Sequence, residues 1–186
     1  MENKKVAWIG TGVMGSQQAG HLAKNGYDVS AYTHKYEKLL ELETRKIYAE
    51  AVKDADYIFV MVGYPSDVEE VFCGEGGIFQ SAKPGALAID MTTSSPSLAQ
   101  RLYEEGKAKG IRVMDAPVSG GEPKAVDGTL SFMVGGKQEV FDAYKPMLEA
   151  MGASVVRCGE VGAGNTTKLA NQIVVACNIQ ALAEAL

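Results

Sequence analysis

The sequence predicts an α/β fold, a doubly wound and mainly parallel sheet that ends in the start of a long helix. Two observations carry this. Short strand-like runs alternate with helical patterns through most of the 186 residues. The first of those runs stops on a glycine-rich turn, Gly10-Thr11-Gly12-Val13-Met14-Gly15, which opens the first helical pattern.

The elements follow in order. Lys5 to Ile9 reads as a buried strand, and Gly12 to Asn25 as a helix ended by Gly26. Asp28 to Thr33 is a second strand, with a charged helix expected near Tyr36 to Arg45. Tyr57 to Val62 is a third strand, closed by Gly63 and Pro65. Ala86 to Asp90 is a strand with its helix at Pro96 to Lys109. Arg112 to Asp115, Leu130 to Val134 and Ser154 to Arg157 complete the strands, with a helix from Glu139 to Met151 between the last two. Residues 1–160 then form one domain, and 161–186 begin an apolar helix that leads out of it.

Composition narrows the function classes. With 46% hydrophobic residues the chain can bury a substantial core, and a net charge of −5 without a basic patch argues against nucleic acid. Cys73, Cys158 and Cys177 are far apart, lack metal-ligand spacing and suit a reducing cytoplasm. The first ten residues hold only a four-residue apolar run, and Gln180 and Glu184 interrupt the last apolar stretch, so neither reads as a signal peptide or a membrane span.

The glycine turn carries specific chemistry. Gly10 permits the tight turn, Gly12 lets a pyrophosphate approach the backbone, and Gly15 allows close helix–strand packing, while the helix N-terminus stabilises the anion. Its place between a strand and a helix makes this a Rossmann-type dinucleotide fingerprint. NAD enzymes usually place Asp or Glu at the end of the second strand for the ribose 2′-hydroxyl. Here that position reads Tyr32, Thr33, His34, Lys35, with no acid. Thr33, His34 and Lys35 suit a 2′-phosphate, which favours NADP and leaves NAD possible.

Lys168 is the second chemical feature. It lies in Gly162-Ala163-Gly164-Asn165-Thr166-Thr167-Lys168, entering a helix with an otherwise apolar face. A buried ammonium is costly, so an inward lysine here points to function. A lysine beside a carbonyl oxygen can stabilise a developing alkoxide and donate the proton. His21 lies within the first helix and reads as a packed or surface residue.

Three further segments join these two: 89–96 (IDMTTSSP), 115–136 (DAPVSGGEPKAVDGTLSFMVGG) and 162–172 (GAGNTTKLANQ). With the fingerprint, the chain resembles the β-hydroxyacid dehydrogenase family, and the run SGGEPKAVDGTLS resembles its tartronate semialdehyde reductase branch. The resemblance implies an oxidoreductase that interconverts a small β-hydroxyacid and its semialdehyde by hydride transfer. It implies that Gly10, Thr11, Gly12, Val13, Met14 and Gly15 cradle the pyrophosphate, and that Met61 and Val62 line the adenosine side. Thr92 would contact the nicotinamide portion. Ser119, Gly120 and Gly121 would hold the substrate carboxylate, Lys168 would be the general acid–base group, and Asn171 would orient the substrate. Asp115, which ends a strand ahead of the substrate loop, reads by its position as holding that loop by hydrogen bonds rather than as a catalyst. Many members carry Asn four residues after the lysine, where this chain has Gln172. A non-catalytic dinucleotide-binding module and an imine reductase of the same fold are the alternatives, and Lys168 speaks against both.

Two departures stand out. The segment from Thr33 to Asp56 is several residues shorter than in the family. The helix carrying Lys168 is expected to run into an all-helical second domain that closes the site and makes a homo-oligomer interface, and the sequence reads as lacking it. Ile173, Val174, Ala176, Cys177, Ile179, Leu182 and Leu186 would then lie bare, and the 186 residues alone would be inactive.

Overall fold

The computed structural model describes residues 4–32, 43–45 and 48–186, with side-chain surroundings from residue 49 onward in the last stretch. The elements are β1 (Lys5–Ile9), α1 (Val13–Lys24), β2 (Asp28–Tyr32), β3 (Glu43–Arg45), α2 (Tyr48–Val52), β4 (Tyr57–Val60), α3 (Pro65–Cys73), α4 (Ile78–Ser81), β5 (Leu87–Asp90) and α5 (Pro96–Ala108). They continue as β6 (Arg112–Asp115), β7 (Val118–Ser119), α6 (Gly121–Val126), β8 (Leu130–Gly135), α7 (Gln138–Glu149), β9 (Gly152–Gly159) and α8 (Ala163–Ala185).

The sheet runs β3-β2-β1-β4-β5-β6-β8-β7, with β9 also paired to β8. From β3 to β6 every pairing is parallel; β8 is antiparallel to β6 and β7, and parallel to β9. Chain order moves outward one way from β1 through β2 and β3, and the other way from β4 through β5 and β6. That reversal leaves a crevice between the C-terminal ends of β1 and β4, where doubly wound sheets bind their ligands.

Alternation along the central strands builds two cores. Val6 and Trp8 of β1 and Tyr57 and Phe59 of β4 join one core, with α1 and α7 residues such as Leu22 and Phe141. Ala7, Ile9, Ile58 and Val60 join the other, with Phe72 of α3 and Leu102 of α5. Trp8 and Phe59 stack at 5.2 Å and are fully buried. Each such side chain contributes roughly 1.5–3 kcal/mol by burial. α1 buries Gly15, Gln18, Ala19 and Leu22, the three- and four-residue spacing of one helix face.

Some elements differ from the sequence expectation. Glu43–Arg45 is not the end of a helix but a strand parallel to β2, set by pairings Ser30↔Glu43 to Tyr32↔Arg45. The rest of the expected helix falls outside the described residues. Pro65 does not merely end β4. It occupies the first turn of α3, where a missing N–H costs nothing, and Asp67 Oδ2 accepts the Tyr64 N–H at 2.9 Å. The short α4, α6 and β7 carry too few residues for periodicity to show. No helix among the described residues is long and apolar enough to cross a membrane. Beyond Lys168, α8 is largely exposed, with Ile173 at 67% and Ile179 at 64%.

Candidate active site

The three fingerprint glycines are required for different reasons. Gly10 has φ +94°, and a Cβ there would stand 2.0 Å from Met61 O. A Cβ on Gly15 would stand 2.1 Å from Gly10 O. Both are fixed by packing within the chain. A Cβ on Gly12 would meet nothing within 4 Å, so the chain's own packing does not demand that glycine. Gly12 is the N-cap of α1 and offers no side-chain cap, leaving the helix N–H groups open. Thr11 is buried, and its Oγ1 has no hydrogen-bond partner. Open space, free N–H donors and an orphaned hydroxyl together fit the phosphates of a dinucleotide. Val13 is half exposed at the same rim.

Beside this turn lies a cleft of about 340 Å³. Met14 contributes from α1; Met61, Val62 and Gly63 from the end of β4; Met91, Thr92 and Thr93 from the end of β5; Val118, Gly120 and Gly121 from the β7–α6 turn; and Lys168 from α8. Met61 N donates to Ile9 O at 2.8 Å, tying the β4 end to β1. Thr92 is buried, its N–H donates to Asp90 Oδ1 at 2.9 Å, and its Oγ1 accepts the Val62 N–H at 3.1 Å. One threonine therefore couples the ends of two strands.

Gly120 has φ +139°, a region that favours glycine, and starts α6. Ser119 precedes it on β7, opposite Ser131, and is not among the cleft-lining residues. Asn171 is also outside the lining.

Lys168 is 8% exposed. Burial pushes its ammonium pKa below the ordinary lysine value. Its Nζ donates to Gln172 Oε1 at 2.8 Å, and Asn171 Nδ2 donates to the same oxygen at 3.2 Å. The lysine's partner is thus its four-residue neighbour on α8. The i,i+4 spacing of Lys168 and Gln172 is the sequence signal for this contact.

Asp115 also differs from expectation. It does not hold the loop that follows it. Its Oδ1 accepts Gly162 N–H at 2.7 Å and its Oδ2 accepts Asn165 N–H at 2.8 Å, at the start of α8. Gly63, Met91, Thr93 and Val118 complete the lining without a role expected from sequence; Met91, Thr93 and Val118 lie within the motif segments 89–96 and 115–136, whereas Gly63 signals only the end of a strand. Thr33, His34 and Lys35 lie outside the described residues. His21 packs α1 on α6, its Nε2 lying 3.0 Å from Ala125 O.

A reversed-order parallel sheet, a glycine turn at its switch point and an adjoining cleft define a dinucleotide-binding α/β domain. Residues 5–159 match the family model described as the NAD binding domain of 6-phosphogluconate dehydrogenase. An uncharacterized oxidoreductase of Bacillus subtilis is 46% identical over 188 residues, covering 98% of this chain and 65% of the relative. The 2-hydroxy-3-oxopropionate reductase of Escherichia coli is 41% identical over 189 residues, covering 98% and 64%. The Mycobacterium tuberculosis 3-hydroxyisobutyrate dehydrogenase structure with L-serine superposes with TM-score 0.90 at 30% identity, covering 97% of this chain and 62% of that one. An imine reductase from Myxococcus stipitatus, at TM-score 0.89 and 20% identity, shares the fold alone. The chain belongs to the β-hydroxyacid dehydrogenase family and spans 65% and 66% of its first two curated relatives.

Proposed function

We propose that this protein is an NADP-preferring oxidoreductase that interconverts a small β-hydroxyacid and its semialdehyde. The observation that carries the reading is a buried lysine sharing one cleft with Met14 of the fingerprint, Thr92, Gly120 and Gly121. The relatives named as a 3-hydroxyisobutyrate dehydrogenase and a 2-hydroxy-3-oxopropionate reductase support the substrate class.

A bound nicotinamide dinucleotide supplies or takes up the hydride. Residues 10–15 and the N-terminus of α1 hold the pyrophosphate, Met61 and Val62 contact the adenosine side, and Thr92 contacts the nicotinamide portion. Thr33, His34 and Lys35 hold a 2′-phosphate. Ser119, Gly120 and Gly121 bind the substrate carboxylate through a hydroxyl and backbone N–H groups. Lys168 Nζ gives a proton to the developing alkoxide during reduction and takes it back during oxidation. Its lowered pKa brings it nearer to working pH. Asn171 orients the substrate from the next turn.

Turnover of tartronate, succinic and methylmalonate semialdehydes, followed by NADPH absorbance for the parent and Lys168→Ala, tests the chemistry. Absence of Lys168-dependent turnover with every small acid semialdehyde would sink the reading. Titration with NADPH and NADH tests the cofactor: tighter NADPH binding is expected, narrowed by His34→Asp with Lys35→Ala. Equal affinities in the parent would count against the NADP preference.

A further inference from the structure

We propose that Asp115 is a positioning residue for Lys168, its carboxylate acting as the N-cap of α8 supplied from the sheet. The proposal rests on the reading of Lys168 as the proton donor.

α8 has no cap of its own. Its N-cap is Gly162, at φ +94°, without a side-chain hydrogen bond, and no acid stands in its first turn. Four N–H groups at a helix start need acceptors. Asp115, fully buried at the end of β6, accepts two of them, from Gly162 and Asn165. A carboxylate at this end also opposes the positive pole of the helix.

The socket is built around the carboxylate by absent side chains. A Cβ on Gly135 would stand 2.1 Å from Asp115 Oδ1, and one on Gly164 would stand 2.8 Å from Oδ2. Gly135 is the β8 residue paired with Asp115, and Gly164 lies in the first turn of α8. Strand, carboxylate and helix therefore meet with little room for displacement.

Asn165 has a second tie. Its Oδ1 accepts the Ser94 N–H at 2.8 Å, from the turn that places Thr92 and Thr93 in the cleft. The first turn of α8 is thus held from the ends of both β5 and β6. Lys168 follows Asn165 by three residues and Gly164 by four, so a shift of that turn moves Nζ relative to Thr92, Gly120 and Gly121. Burial raises the Asp115 pKa, and the N–H groups of Gly162, Asn165 and Gly164 oppose the rise.

The test uses Asp115→Asn, which replaces one acceptor oxygen with a donor facing an N–H, and Asp115→Ser, which keeps one short acceptor. Three quantities are read: NADPH affinity, kcat against KM for semialdehyde reduction, and the rate of Lys168 trinitrophenylation by mass spectrometry, with exposed Lys107 as internal standard. The expected result is unchanged NADPH affinity, a kcat lower by on the order of 10²-fold, as for a misplaced catalytic group, and a changed Lys168 labelling rate beside a constant Lys107 rate. Parent values for both kcat and Lys168 labelling would overturn the proposal. So would loss of NADPH binding in both variants, because Asp115 would then serve the fold at large. If Lys168 labelling changes but Lys168→Ala retains turnover, positioning stands and the reading of Lys168 as the proton donor fails.

Discussion

Lys168 Nζ donates to Gln172 Oε1 at 2.8 Å, one turn further along α8, and Asn171 Nδ2 reaches the same oxygen. An ammonium has three donors, so this bond leaves two for the cleft. The amide oxygen favours the charged lysine, while burial disfavours it. Gln172→Leu removes the favourable contact and leaves the burial. Its Lys168 pKa should fall further. Semialdehyde reduction needs the protonated amine, so the alkaline limb of its pH profile should move to lower pH. An unmoved limb would show that Gln172 does not hold the lysine during turnover.

Lys168→Met separates activity from stability. The folded-state lysine pKa lies below its unfolded value of 10.5. Below the folded pKa the folded ammonium bears the full burial penalty, and this is relieved as pH rises towards the unfolded value. The variant should therefore be more stable than the parent near neutral pH, and the gain should shrink as pH rises through the lowered pKa. Turnover should vanish. Thermal melts of both proteins across pH measure the difference; a variant less stable than the parent at neutral pH would contradict the cost assigned to Lys168.

The fold was legible where pattern and length coincided. β1, α1, β4, β5 and α5 announced themselves because each carries a continuous apolar run of strand length or a full helix face. The site was legible where a motif forces geometry, as at Gly10 and Gly15. It was less legible where contacts join residues far apart in sequence. Asp115 reaches Asn165 across fifty positions, and no local pattern records that distance. The contact of Lys168 with Gln172 follows from i,i+4 helix geometry, whereas the resemblance assigns Asn171 to the substrate and says nothing of that contact.

The glycine turn offers a paired test. Gly15→Ala drives a Cβ to 2.1 Å from Gly10 O and should cost at least about 1–3 kcal/mol in denaturant unfolding. Gly12→Ala meets nothing within 4 Å and has no positive φ, so its stability should match the parent. Its dinucleotide affinity should nevertheless fall by about tenfold or more, roughly 1.4 kcal/mol, because the added methyl occupies the space over the α1 N-terminus. Calorimetric titration beside the unfolding curves reads both effects. Unaltered affinity in Gly12→Ala would place the pyrophosphate elsewhere.

Asp90 gives a pH dependence of stability with a definite sign. It is 2% exposed on β5, in register with Asp115 on β6. Burial pushes its pKa from 3.8 to about 7, against the pull of Thr92, whose N–H and side chain hydrogen-bond to it, and with a further push from Asp115. Between those values the folded state holds a proton that the unfolded chain has released. Stability from this group is therefore present below about pH 4 and lost progressively as pH rises to about 7. Asp90→Asn keeps the oxygen that accepts the Thr92 N–H and cannot ionise. It should match the parent in acid and exceed it above neutrality, by on the order of 4 kcal/mol at about 1.4 kcal/mol per pH unit. Urea midpoints for both proteins across this range measure the divergence. Parallel curves would mean that Asp90 carries its charge in the folded protein at little cost, and that the two strand-end carboxylates are better solvated than their burial implies.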